Sequence, residues 1–213
     1  FTLNDGSFHL RGTEFSDTLR GTDHDDTFIG LGGDDVIDGR GGFDEVRFNR
    51  SGVGAVVVDL LHGTATGTWD GAAFSYRLSN IERVRGSRND DRLRGSNGTN
   101  RLDGYGGDDI LAGRGGENTF EGGDGRDTFV IGFSRNGNYQ RINDFTDGED
   151  RIDLNAWGVP SHSDLMAVVD QHVDGTGIWI DLTRFAVGGT GYYGVHLYGY
   201  FDIASLDASD FLL

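Results

Sequence analysis

From Gly12 the chain reads GTEFSDTLR, GTDHDDTFI, GLGGDDVID and GRGGFDEVR, and from Gly86 it reads GSRNDDRLR, GSNGTNRLD, GYGGDDILA, GRGGENTFE and GGDGRDTFV. Glycine opens all nine of these nine-residue units. The sixth place holds Asp17, Asp26, Asp35 and Asp44, then Asp91, Asn100, Asp109, Asn118 and Asp127. The eighth place is always large and apolar: Leu19, Phe28, Ile37, Val46, Leu93, Leu102, Leu111, Phe120 and Phe129. Self-similarity at a short fixed period marks a solenoid, whose units bury their apolar residues against their neighbours.

One unit, Gly30 to Asp38, shows how the period works. GLGGDD is rich in residues that tolerate a positive φ, so it turns tightly. Val36-Ile37-Asp38 suits a very short strand, with Ile37 facing in while Val36 and Asp38 face out. The outward seats of other units (Arg20, Arg47, Arg92, Arg94, Arg101, Asp103 and Glu121 among them) are mostly polar, as this register requires. If each unit reverses the chain, turns on one side of a flattened coil recur every 18 residues, as the spacing from Asp17 to Asp35 or from Asp91 to Asp109 shows. Stacked carboxylates repel unless a cation lies between them. Carboxylates and turn carbonyls are hard oxygen donors, and calcium accepts about six to eight such oxygens in flexible geometry, whereas magnesium demands a stricter octahedron. One apolar side chain per unit makes a thin core against the entropy of ordering the chain, so the metal is expected to be structural.

Composition agrees. The 213 residues include 37 glycines and one proline, no cysteine, and a net charge of −17. That charge argues against nucleic acid or an anionic membrane as partner and favours cations. Without cysteine there are no disulfides or thiolate metal sites. All 18 basic residues are arginine, which removes P-loop and Schiff-base chemistry. No run approaches the roughly 18 apolar residues of a membrane span. The chain opens at Phe1 without a methionine or signal-like segment, so it is expected to be a piece of a larger protein.

The repeats resemble those of the RTX, or hemolysin-type calcium-binding, family, mostly bacterial proteins exported by type I secretion. The resemblance implies an all-β fold: a parallel β-roll, a right-handed calcium-binding solenoid, in two repeat segments with a β insertion and a C-terminal β cap. It implies several calcium ions, with Asp17, Asp26, Asp35, Asp44, Asp91, Asp109, Asp127 and Asn100 as side-chain ligands. Gly30, Gly32, Gly39, Gly41, Gly104, Gly106, Gly113 and Gly115 are implied as carbonyl donors. Two departures bear on this. The first two units lack glycine at the fourth place (Phe15, His24), and Asn100 and Asn118 replace aspartate along one side of the second segment, which therefore is expected to bind calcium more weakly.

The expected division is 1–47 for the first segment, 48–85 for the insertion, 86–130 for the second segment and 131–213 for the cap. In the insertion, 55–61 reads as a strand, 62–71 as a turn-rich hairpin and 74–78 as another strand. Glu82 lies nine before Asp91, back in phase. In the cap, 141–145 and 150–154 bracket a turn, and the end, LDASDFLL, places an acid before a short apolar tail. Both features are similar to the C-termini of serralysin-type exoproteins, which implies an uncleaved export signal read by a type I secretion apparatus.

No catalytic motif emerges. His9, His24, His62, His162, His172 and His196 never form HExxH, and no GxSxG elbow occurs. Gly189 to Gly194 fits GxGxxG but has no βαβ unit around it. Tyr192, Tyr193, Tyr198, Tyr200 and Phe201 read as packing in the cap, with a sugar-binding platform as the alternative. The leading expectation is a non-catalytic calcium-binding module of a secreted bacterial protein. The alternatives are a calcium-dependent adhesion or polysaccharide-binding module, or the C-terminal part of a secreted protease, lipase or epimerase.

Overall fold

The computed structural model describes residues 6–132, 138–171, 175–186, 193–200 and 202–213. Among these, the chain winds back and forth between two ten-stranded sheets. One sheet runs in the order β1 (His9–Arg11), β3 (Thr27–Ile29), β5 (Glu45–Arg47), β9 (Arg83–Arg85), β11 (Asn100–Asp103), β13 (Gly116–Glu121), β15 (Asn138–Ile142), β19 (Tyr193–Tyr198), β18 (Gly177–Asp181) and β17 (Val169–Gln171). The other runs β2 (Thr18–Arg20), β4 (Val36–Asp38), β8 (Ala72–Ser79), β7 (Thr64–Trp69), β6 (Val57–Asp59), β10 (Arg92–Arg94), β12 (Ile110–Ala112), β14 (Thr128–Val130), β16 (Arg151–Asp153) and β20 (Phe211–Leu212). Within the repeats, successive units enter alternate sheets and neighbouring strands are parallel, the β-roll arrangement.

The register is the 18-residue period made physical: Thr18 pairs with Val36, and Arg92 with Ile110. Eighth-place side chains therefore form two facing columns. Phe28, Val46, Val84, Leu102, Phe120 and Ile142 line one sheet, and Leu93, Leu111, Phe129 and Ile152 line the other, all fully buried. Leu19, on the second strand of the roll, is only partly covered. This narrow strip is what holds the two sheets together.

The insertion belongs to the roll rather than standing off it. β8 pairs in parallel with β4, β6 pairs in parallel with β10, and β7 joins them antiparallel on both sides. Three strands thus occupy one sheet where the opposite sheet brings β5 directly against β9. Phe48, Phe74 and Tyr76 stack there, with the Phe74 and Tyr76 ring centroids 4.5 Å apart. The strand expected over 55–61 is confined to Val57–Asp59, and most of the stretch expected to be turns is β7. Its glycines misled: at Gly67 a Cβ would strike the Phe74 ring and Val56, so this glycine serves packing inside a strand.

Beyond the repeats the winding continues through β15, β16, β19 and β20, and antiparallel β18 and β17 close one edge. The apolar tail is itself a strand, with Phe211 paired to Ile152 and buried. No helix among the described residues is long and apolar enough to cross a membrane.

Candidate metal sites

Along each side of the roll, a sixth-place side chain binds the backbone of the turn stacked on it. The Asp17 N–H donates to Asp35 Oδ1 at 2.8 Å, Asp26 to Asp44 at 2.7 Å, Asp91 to Asp109 at 2.7 Å and Asp109 to Asp127 at 2.9 Å. The 18-residue stacking expected of these aspartates is therefore present. One carboxylate oxygen is spent on this bond, and the other turns toward the glycine that opens its own unit. A Cβ at Gly12, Gly21, Gly86 or Gly104 would lie within 3.0 Å of that oxygen and also of a carbonyl oxygen from the next turn on the same side, those of Gly30, Gly39, Gly104 and Gly122 respectively. The opening glycine keeps a small oxygen-lined cradle clear, which a side chain would fill.

The second place of the unit divides the cradles into two kinds. Where it is Thr or Ser, the carboxylate is capped from within its own turn. Thr13 donates to Asp17 Oδ2 through its N–H at 2.6 Å and its hydroxyl at 2.9 Å, Thr22 does the same for Asp26, and Ser87 caps Asp91 with its N–H on Oδ2 and its hydroxyl on Oδ1. Where it is Leu31, Arg40, Tyr105 or Gly123, the backbone is left-handed, with φ between 74° and 95°, and no such cap forms. In those units Asp35, Asp44, Asp109 and Asp127 are at most 1 % exposed, and the Oδ2 of each has no hydrogen-bond partner. Burial, with the neighbouring carboxylates adding to it, pushes their pKa up to about 6, 7, 8 and 7 respectively. At Asp44 and Asp109 the bare oxygen faces a carbonyl oxygen, that of Asn80 and of Gly122 respectively, an arrangement that suits a hard cation. Among the described residues no three His, Asp or Glu side chains converge. A cation here must therefore be held largely by backbone carbonyls together with paired carboxylates.

The asparagine side of the second segment is built differently. Asn100 N–H donates to Asn118 Oδ1 at 2.8 Å, so the stacking bond survives. Asn118 Nδ2 then donates to the carbonyl of Gly115 at 3.0 Å, and Gln140 Nε2 to that of Gly116 at 3.3 Å. Amide N–H groups stand where a cation would otherwise meet those oxygens. Of the glycines read from sequence as carbonyl donors, Gly30, Gly39, Gly104 and Gly113 present their oxygens to an opening glycine, and Gly115 is engaged by Asn118. Gly32 and Gly41 use their N–H groups to bind Thr13 and Thr22 carbonyls at 3.2 Å, and Gly106 forms a parallel bridge with Asp124.

Sequence reasoning missed the acids that carry the ladder past the repeats. Asp127 N–H donates to Asp150 Oδ1 at 2.9 Å, and Thr146 N–H caps Asp150 Oδ2 at 2.8 Å. The stretch FTDGEDRID from Phe145 is a tenth unit with phenylalanine in place of the opening glycine, its sixth place Asp150 and its eighth Ile152. Searching on those two places alone would have found it. Asp144 accepts from Gly122 and Gly123 N–H groups, each at 3.0 Å. The aromatic residues of the cap do not assemble one platform. Tyr193 is in the core, Tyr200 packs edge-on to Phe145, and Arg141 covers the Tyr198 ring at 3.7 Å, while Tyr192 and Phe201 lie outside the described residues.

The RTX calcium-binding nonapeptide repeat family matches in four copies, over residues 11–46, 79–111 and 103–130. No curated protein sequence matches the chain. Among solved structures, the extracellular lipase LipA from Serratia marcescens aligns over 98% of this chain at 15% identity and a TM-score of 0.35, and the chain spans only 40% of that lipase. The AlgE6R2 subunit of the Azotobacter vinelandii mannuronan C5-epimerase aligns over 62% of this chain and 92% of its own length, at 25% identity and a TM-score of 0.27. Residues 11–46 and 79–130 are RTX calcium-binding nonapeptide repeats, a class that binds several calcium ions, wound here into a nearly all-β structure of parallel strands.

Proposed function

We propose that the chain is a non-catalytic, calcium-ordered module of a larger secreted bacterial protein, carrying an export-type tail for a type I secretion apparatus. The observation that carries this reading is the set of buried, unpartnered Oδ2 atoms of Asp35, Asp44, Asp109 and Asp127. Leaving such groups uncompensated opposes folding, and a net charge of −17 opposes it further. Bound calcium supplies the missing positive charge. Asp44, Asp109 and Asp127 would hold it, with turn carbonyls such as that of Gly122 beside Asp109, while Thr13, Thr22 and Ser87 orient the capped aspartates. Low cytosolic calcium then leaves the chain unfolded and threadable, and millimolar extracellular calcium folds it. Circular dichroism of the metal-free chain at pH 8 is expected to show an unfolded spectrum that becomes β on adding millimolar calcium. A β spectrum indifferent to calcium, or one restored by magnesium alone, would overturn the reading.

A further inference from the structure

The two repeat segments are interrupted by the insertion, and on one side of the roll that interruption is chemically seamless. Asp44, fully buried in the last unit of the first segment, donates its N–H to Glu82 Oε2 at 3.0 Å, 38 residues further along. This is the bond that Asp17, Asp26, Asp91 and Asp109 make to an acid in the next turn, here reached by the longer glutamate. The Asp44 Oδ2 has no hydrogen-bond partner. A Cβ at Gly39 would fall within 3.0 Å of both that oxygen and the carbonyl oxygen of Asn80. The Asn80 carbonyl stands where the carbonyl of an opening glycine stands in the repeats, although Asn80 is left-handed at φ 53° and those glycines are not. All three features of an uncapped repeat cradle are therefore present, with Glu82 and Asn80 standing in for the aspartate and the opening glycine of a repeat unit.

The opposite side of the same junction is closed. There a Cβ at Gly30 would meet Asp35 Oδ2 and the ring and hydroxyl of Tyr76, and that hydroxyl donates to the Leu31 carbonyl at 2.7 Å. A phenol occupies the place of a turn carbonyl. On the open side, Asn80, Ile81 and Glu82 also line a surface cleft together with Ser96. Among the described residues no arginine forms an ion pair with Asp44 or Glu82.

We infer that Asp44, Glu82 and the Asn80 carbonyl form a divalent-cation site that joins the first repeat segment to the second across the insertion. The inference rests on the calcium-binding reading of the chain and adds to it a site formed between segments, whose occupancy couples their folding. Two carboxylates and a carbonyl give the charge and hardness that favour calcium.

Calcium titration of the full chain by calorimetry tests this, with Glu82→Gln beside the wild type. Glutamine retains an oxygen that can accept the Asp44 N–H and loses only the charge, so the fold is kept while the ion is not. The variant is expected to bind one calcium ion fewer at concentrations that saturate the wild type. Crystals of the wild type grown in calcium are expected to show anomalous density between Asp44 and Glu82, a result independent of whether the variant folds. Unchanged stoichiometry in the folded variant, or density along the repeats with none at the junction, overturns the inference while leaving the repeat sites intact. A wild type that binds no calcium anywhere would instead overturn the reading beneath it.

Discussion

Whether a sixth-place aspartate needs a cation is decided four residues earlier. Thr13, Thr22 and Ser87 cap their aspartates with an N–H and a hydroxyl, and these units open the two segments. Leu31, Arg40 and Tyr105 cannot, since their left-handed backbones turn away and they carry no hydroxyl on Cβ. The identity of these residues was plain in the sequence, but their consequence depends on φ, which the repeat pattern does not display. The same logic separates Asp109 from Asn118. Asp109→Ala removes a carboxylate oxygen that only a cation can satisfy, so the variant is expected to bind fewer calcium ions and to lose about 3–5 kcal/mol of stability in saturating calcium. Asn118→Ala strips hydrogen bonds from Asn100 and Gly115 at a cost of about 1–3 kcal/mol, with the number of bound ions unchanged. Urea unfolding in calcium, paired with ion counting, reads both. Equal loss of ions in the two variants would show that carbonyls, not carboxylates, set the affinity.

At the scale of strands, the regular units were legible because an apolar eighth place is followed by a mostly polar ninth, the alternation a strand demands. The insertion was legible only as β structure. Its glycines at 63, 67 and 71 read as turn formers, yet only Gly63 and Gly71 have positive φ, and Gly67 lies inside β7 against Phe74. Nothing local to residues 55–79 says that β8 returns to β4 while β6 sits against β10. The tail shows a similar gap between composition and placement. Its acid-then-apolar pattern suggested an export signal, and the structure gives those same residues a place on the β16 edge, with Asp210 fully buried and its carbonyl accepting from Ile152 at 2.8 Å. Both roles suit one segment if it is exported unfolded and pairs afterwards. Removing Asp207 to Leu213 should abolish type I secretion and, by exposing the β16 edge, lower the thermal midpoint. Calcium stoichiometry in the repeats should hold, because the tail adds no carboxylate between stacked repeat turns. Normal secretion of the truncated chain would sink the export half of this proposal. Loss of the repeat ions would show that the tail is needed to hold the roll itself.

For the molecule as a whole, protons and calcium compete for the same oxygens. Burial raises the folded-state pKa of Asp35, Asp44, Asp109 and Asp127 to between about 6 and about 8 when no cation is bound, whereas in an unfolded chain an aspartate titrates near ~3.9. Between those values the folded state binds more protons than the unfolded one, so the metal-free fold gains stability as pH falls and loses it as pH rises toward 8. The general charge acts in the same direction, because protonation reduces the self-repulsion of a chain carrying −17 at neutral pH. Calcium reverses the slope, since it binds the deprotonated carboxylates and must displace their protons at acid pH. The metal-free chain, proposed to be unfolded at pH 8, is therefore expected to gain β structure on acidification to about pH 5, below the raised values and above the unfolded one. In millimolar calcium the chain should be more stable at pH 8 than at pH 5. Circular dichroism across this range with and without calcium measures both arms. Two curves of the same slope would mean that the buried carboxylates are not where the ions bind, and that the thin core is stabilised by some other means.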